Sequence, residues 1–491
     1  MLEFPEWLPD LPDLGNPGLT IAKNVLPQGK GYRSMGSPVA ITDAINARAR
    51  GAIAAVANTD IIYSYVGNAT KLYLVGATSH TDVTNTGGAY TLTEKENWEF
   101  QKWGEKVVAV SIGENPQVIT FGGTNFTDLA GSPPKANHIA AINNFMVLGN
   151  INDGTHEPQT VRWSAIGDIT DWTISATTQA DESVIYSDNN NGGGAIQGVT
   201  GGADFGLIIQ EYSTWRMVYE GSPRIFGIYE ILSGVGTPCK NSITQEGSLL
   251  HMLSQEGFVQ ISNGSERKKI GEEKVDRYFF NDYDASYPYR VVGASDPRSS
   301  IVIWIYPGAN NTNGVPNKYI AYNWLIGRWA HGEIDVEWIY RSISPGYTME
   351  ELDSVSASLD ALGVTLDSDD WKGGTLRLSL YDTADKKGTF DGAALAASLE
   401  TAEAQFNPGK RSFVSGVRPL IDGDAVPTIQ LGTRNLLSDS VTWGSAISVN
   451  AVTGMSNFTD DHRYHRIRMN TTGEFNDAIG LDVDAQPSGG I

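Results

Sequence analysis

The 491-residue chain contains a single cysteine, Cys239, which excludes an intrachain disulfide framework and any cysteine-based metal site. The N-terminus has no basic stretch followed by an apolar run, so no signal peptide is visible. No window approaches the ~18 to 20 uninterrupted apolar residues of a membrane-spanning helix. A soluble protein made in a reducing cytoplasm is expected. Basic residues are also scarce, 35 Lys and Arg against 57 Asp and Glu, for a formal net charge of −22. A protein that grips nucleic acid needs a basic face, because counterion release supplies most of the affinity. The acidic balance therefore argues against DNA binding, though not against a surface that DNA slides past without adhering.

Motifs that carry chemistry are equally sparse. No GxxxxGK[ST] occurs; the nearest stretch, "QFNPGKRS", has Ala404 where the first glycine belongs. "GGGAIQG" (192–198) has the glycines of a nucleotide turn, but the third falls one residue late and no helical pattern follows. There is no GxSxG nucleophile elbow. "WSAIGDITDW" (163–172) has Ile166 where an Asp-box turn requires aspartate. His462 and His465, three residues apart on one predicted strand, face opposite sides. Asp382, Asp385 and Asp391 lack the spacing of a calcium loop. The basic run "HRYHRIRM" (462–469) reads as a solvated strand face on which Arg466 and Arg468 accompany His462 and Tyr464, balanced by Asp460, Asp461 and Asp477. No catalytic, cofactor-binding or metal-binding residue is assigned, and no enzymatic activity or cofactor is expected.

What the chain has in abundance is turn chemistry. Its 54 glycines, with Asn, Thr, Ser and Asp, separate short apolar runs, and hydrophobic residues still make up 40%. That mixture suits many short strands joined by turns. From residue 45 to 345 the pattern repeats, with starts at Ala52, Trp98, Asn137, Ala195, Ser242 and Tyr289, about 47 residues apart. Propeller repeats have this period, four strands to a blade. The spacing predicts an all-β chain with a β-propeller of about six blades. Trp163, Trp172, Trp215, Trp324 and Trp329 are expected to pack between neighbouring sheets.

The two ends differ from this body. Residues 1–44 read as an extended N-terminal arm and entry segment, with prolines at positions 5, 9, 12, 17 and 27 that exclude a helix. Trp7, Leu8, Leu11 and Leu14 are apolar, as a solvated tail would not require; they are candidate anchors onto a neighbouring subunit, or onto the chain's own body. Over 346–374, "MEELDSVSASLDALGVTL" (349–366) has helical apolar spacing with acids in its first turn, followed by the linker "DSDDWKGG". Residues 375–491 return to short alternating runs and predict a C-terminal β-sandwich-like domain.

An ordered string of segments carries a resemblance. "LPDLPDLGNPGLTIAKNVLPQGKGYRSM" at the start, "ENPQVITFGGTNFTDLAGSPPKANHIAAINNFMVLGN" (114–150) and "PQTVRWSAIGDITDWT" (158–173) resemble tail hub, or nozzle, proteins of short-tailed bacteriophages. These are also called tail tubular protein B or packaged-DNA stabilisation proteins. "QEYSTWRMVYEGSPRIFGIYEI" (210–231), "LSQEGFVQISNG" (253–264), "IGEEKVDRYFFNDYD" (270–284) and "YNWLIGRW" (322–329) extend the likeness over roughly residues 8–340. "HRYHRIRMNTTGEFNDAIGLDVDA" continues it more loosely. The resemblance implies a non-enzymatic virion protein, assembled in the host cytoplasm, that forms a homohexameric tube. That tube would lie below the portal and its head-tail adaptor ring and above a distal needle, fibre or spike. It would retain packaged DNA and conduct it at ejection without sequence-specific binding; an acidic lumen would repel phosphate and prevent trapping. Two alternatives stay open. One is a receptor- or glycan-binding propeller at the tail tip. The other is a propeller glycoside hydrolase, which would need two carboxylates at one end of a central channel.

Overall fold

Short apolar runs divided by Gly, Asn and Asp turns become antiparallel strands along the whole chain in the computed structural model, which describes residues 1–188, 192–344, 358 and 374–489. The fold is all-β; among the described residues the one α-helix is Asp276–Asp282. No described helix is long and apolar enough to cross a membrane.

Six four-stranded antiparallel sheets stand by themselves, and a seventh four-stranded meander forms one side of a ten-stranded sheet. Sheets one to five are continuous in sequence and begin with Ala52–Val56, Glu99–Trp103, Ala136–Ile142, Ile196–Thr200 and Thr244–Glu246. Sheet six starts the ten-stranded sheet and runs from Val292–Asp296 to Arg328–Glu333. Sheet seven joins Val336–Ile343, Leu376–Asp382 and Lys386–Thr389 to Val39–Ala44 from the N-terminal region.

Each of the six repeat starts predicted from spacing lies within three residues of the first strand of sheets one to six. The expected count of about six units is one short of the seven four-stranded groupings. Sheet seven has no contiguous repeat to detect: its outer strand comes from the other end of the chain, and the Lys387 N–H donates to Thr42 Oγ1 across 345 residues. Local turn chemistry sets the hairpins. Asn143, between the first two strands of sheet three, adopts φ 54°, a left-handed conformation that asparagine tolerates better than most residues.

Alternation along the strands places apolar side chains between neighbouring sheets. Val107 and Ala109 meet Tyr65 and Leu72 between sheets one and two, and Val108 and Val110 meet Met146 and Leu148 between two and three. Val147 packs with Ile208 and Met217, Leu207 with Leu250 and Met252, and Phe258 with Trp304 and Trp329. Ile303 and Ile305 pack with Ile339 and Leu380, and Tyr340 and Tyr381 with Val66 and Tyr73, so sheet seven shares a buried cluster with sheet one. Trp163, Trp172 and Trp329 are buried and Trp215 and Trp324 half-buried, the packing role their spacing predicts.

The ends of the chain are built into this body. Leu19–Lys23 runs parallel to the last strand of sheet six and antiparallel to Ala397–Thr401, which leads on to Tyr464–Thr472 and Val426–Arg434. A second sheet contains Val25–Gln28, Gly31–Ser34, Ala478–Pro487, Ser412–Ile421 and Ser456–His462. Val414, Val417 and Leu481 from this sheet share one buried cluster with Ile429, Leu431, Ile467 and Met469 from the other. Strand pairing crosses both expected boundaries of the C-terminal domain and the arm. Residues 376–389 belong to sheet seven, and residues 19–34 complete both C-terminal sheets. The helix predicted over 349–366 and its linker lie outside the described residues, apart from positions 358 and 374.

Candidate functional site

The first strands of all seven sheets line one cavity of about 390 Å³. Side chains from the starts of three units form a hydrogen-bonded chain along its wall. The Lys240 ammonium donates to Asn137 Oδ1 at 3.2 Å, and Asn137 Nδ2 lies 3.2 Å from His138 Nε2. His138 Nδ1 lies 2.8 Å from a Glu99 carboxylate oxygen. Burial pulls Lys240 down to about 8, with Glu99 and Glu96 opposing the shift. Elsewhere on the wall Arg341 pairs with Glu246 at 2.8 Å, and Ser295 Oγ donates to the same carboxylate at 3.1 Å. Asn97, buried at 4% exposure, lines the cavity with neither carboxamide atom hydrogen-bonded among the described residues.

A second charged group surrounds the segments leading into the first strands. Arg48 and Arg50 both reach Glu94, at 2.9 and 3.1 Å, and Arg290 holds Glu337 at 2.6 Å in a buried pair. Burial pushes Asp385 up to about 6, with Glu337 and Asp382 adding to the shift and Arg48 opposing it. Glu337 is tied to Arg290, and neither Glu337 nor Asp385 lines the cavity. Between sheets three and four, a groove of about 380 Å³ is lined by Trp163, Tyr186, Trp215 and Phe226 with Asp181, Glu182 and Arg224.

The candidate anchors of the arm separate into two groups. Trp7 is fully buried against its own chain: its indole stacks on His331 and meets Tyr278 edge-on, and its Nε1–H donates to the Thr20 carbonyl at 3.1 Å. Leu8 is buried too, and its N–H donates to the Leu19 carbonyl at 2.9 Å. Asp10 accepts the N–H groups of Arg277 and Tyr278 at 2.8 Å each, and Lys274 pairs with Glu6 at 2.7 Å. Trp7 is thus covered by the chain's own sheet six and helix, and Leu8 is buried beside Leu19. Leu11 is half-buried, and Leu14 is 42% exposed.

The basic run is also consumed internally. Arg463 is a bend between two strands, so His462 and His465 lie on different strands, with ring centroids 6.5 Å apart. Arg466 and Arg468 are paired with the buried Glu400, at 2.5 and 2.6 Å, and Arg466 also reaches Asp13. Of the predicted partners, Asp460 does lie against His462 of the run, at 3.7 Å, whereas Asp461 faces Arg411. Asn97 and Lys240 carried no motif. The available signal was positional: both lie within two residues of a repeat start, where residues from different units converge.

No family model matches the chain, and no curated protein matches it. Among solved structures, the extracellular domain of a putative hybrid two-component system from B. thetaiotaomicron is similar at 10% identity and a TM-score of 0.39. The match covers 86% of this chain, which spans 47% of that one.

Proposed function

We infer that this chain is a structural subunit of a short-tailed bacteriophage tail, the hub or nozzle that continues the DNA channel below the portal and adaptor ring. The observation that carries this assignment is the ordered string of nozzle-like segments over residues 8–340. On the fold, those segments occupy successive hairpins. Residues 137–150 hold the first hairpin of sheet three, 253–264 the central hairpin of sheet five, and 322–329 the last turn of sheet six. A seven-bladed propeller is the architecture we propose, supported by the buried cluster each sheet shares with the next and by the cavity common to all seven first strands.

Six copies would form the tube, meeting an adaptor ring above and a needle, fibre or spike below. Of the four candidate anchors, Leu14 is the exposed one. The net charge of −22 suits a wall that DNA passes without binding. Mass photometry of the purified chain, alone and with its adaptor, tests the assembly: a six-copy ring supports the assignment, and a persistent monomer under both conditions counts against it.

One observation favours a glycan-binding role. The groove between sheets three and four combines aromatic rings with carboxylates and Arg224, and Tyr186 is 57% exposed. Aromatic faces with a few polar groups suit sugar rings. Saturable binding of host-surface glycans by the isolated chain, lost on Tyr186→Ala, would favour it over the nozzle.

A further inference from the structure

A small cavity lies on the face that sheet seven turns towards sheet one. Ser379 pairs with Thr389 and Tyr381 with Lys387, so strand alternation puts Arg377, Ser379, Lys387 and Thr389 on that face together. With Ser342 and the turn at residues 76–77 of sheet one, they line about 50 Å³. Tyr381, on the same face, places its hydroxyl 3.0 Å from His80 Nε2 of sheet one, across the same seam. The polar groups of the cavity are unequally satisfied. Arg377 is paired with the exposed Asp391 at 3.4 Å, and Ser342 and Ser379 share a hydrogen bond of 2.5 Å. The Lys387 ammonium and the Thr389 hydroxyl have no hydrogen-bond partner among the described residues, and no described carboxylate lies within ion-pair distance of Lys387. Neither atom is sealed off, although Thr389 is only 6% exposed and Lys387 is half-buried. Burial pushes the ammonium down to about 8, and the Arg377 charge adds to the shift. A cation withdrawn from water beside a like charge is costly unless an anion reaches it.

We propose that this cavity binds a tetrahedral oxyanion, phosphate or sulfate, held by the Lys387 ammonium and the Thr389 hydroxyl, with Arg377 adding its charge from the side. Both unpartnered groups are donors, two positions apart on one strand face, and an oxyanion supplies acceptors to each. The space is far below the ~300 Å³ of a typical organic-ligand pocket, which favours a single small ion. Because the walls come from sheets one and seven, a bound ion ties together parts of the chain about 300 residues apart in sequence. Binding to the folded chain alone then stabilises it by mass action. With a net charge of −22, the chain has no general attraction for anions, and saturable binding reports a local site.

The test is calorimetric titration of the full chain at pH 7 and low ionic strength with inorganic phosphate, and separately with sulfate. Saturation by either ion supports the proposal, and the tighter of the two identifies the preferred ligand. The same ion should raise the melting temperature of the chain. Lys387→Met should weaken binding by about tenfold or more, as expected for loss of a charge-assisted hydrogen bond. Thr389→Val keeps the shape of the side chain and should weaken binding by about threefold or more, which covers the case in which Lys387→Met does not fold. Lys30→Met, on an exposed turn, should leave binding unchanged. No saturable binding of either probe up to about 10 mM, well above the dissociation constant of a millimolar site, would overturn the proposal. Undiminished binding by Lys387→Met or by Thr389→Val would do the same, as would an equal loss in Lys30→Met.

Discussion

The indole of Trp7 lies on the imidazole of His331, ring centroids 4.4 Å apart and planes 22° from parallel. This contact connects the N-terminal segment to the last strand of sheet six, and Tyr278 closes it by donating its hydroxyl to His331 Nδ1 at 3.2 Å or accepting from it. Residues near the N-terminus are thus part of the core that joins sheet six to the C-terminal sheets.

Removing that contact should destabilise the isolated chain. Trp7→Ala is expected to cost about 3–5 kcal/mol, as for a large aromatic truncated in a packed core. Deletion of residues 1–14 should lower the urea midpoint of the monomer as well as impair assembly. Leu14→Ser should leave the midpoint unchanged and act on assembly alone. An unaltered midpoint for Trp7→Ala would show that the arm is not held as described.

Acidification should destabilise the fold at several buried histidines. Burial pulls His331 down to about 3, and His80 and His465 to about 4, from an ordinary value of 6.5. Each is neutral when folded and takes up a proton more readily when unfolded. The stability they contribute is complete above pH 6.5 and is lost as pH falls through 4 towards 3. Melting temperatures measured from pH 8 to 4 should fall with acid, and His331→Phe should flatten part of the slope. A slope unchanged in that variant would count against the assignment.

Asp276 shifts stability in the opposite direction. Its carboxylate is packed between Gly257 and Gly271 and accepts the Phe258 N–H at 3.0 Å. Burial raises it from 3.8 to about 6, with Asp10 and Glu272 adding and Lys269 opposing. The folded state therefore favours the protonated acid, and that contribution is lost as pH rises through 6. Asp276→Asn should gain stability over the parent above pH 6 and little below pH 4. Gly257→Ala should be strongly destabilising, since its Cβ would sit 2.1 Å from an Asp276 oxygen at φ +128°.

Glu400 should be the costliest single carboxylate to neutralise. It is 2% exposed, holds Arg466 at 2.5 Å and Arg468 at 2.6 Å, and accepts the Thr20 hydroxyl at 3.0 Å. Glu400→Gln leaves Arg468 without its counter-charge and Arg466 with only Asp13, and about 3–5 kcal/mol should be lost in chemical denaturation. A loss under 1 kcal/mol would mean that solvent or Asp13 already screens the pair.

Period and turn chemistry were legible in the sequence, because each of sheets one to six is a local meander whose start is marked by an apolar run after a turn. Sheet seven was not, because Val39–Ala44 and Lys386–Thr389 meet only in three dimensions. The arm's prolines correctly excluded a helix, but nothing local reveals that Trp7 packs on His331, more than 300 residues away. The basic run was misread for a related reason: Arg463 turns the chain, and Glu400 arrives from a distant strand. The cavity residues Asn97 and Lys240 carry no motif and come to line one cavity only through convergence of the units.

Cryo-electron microscopy of purified phage particles from the host that expresses this chain tests the nozzle assignment directly. Six copies are expected in a ring below the adaptor on the DNA axis, with residues 1–14 packed on their own subunit and Leu14 at the contact with the next. Density confined to peripheral fibres, or absence of the chain from the particle, would contradict it.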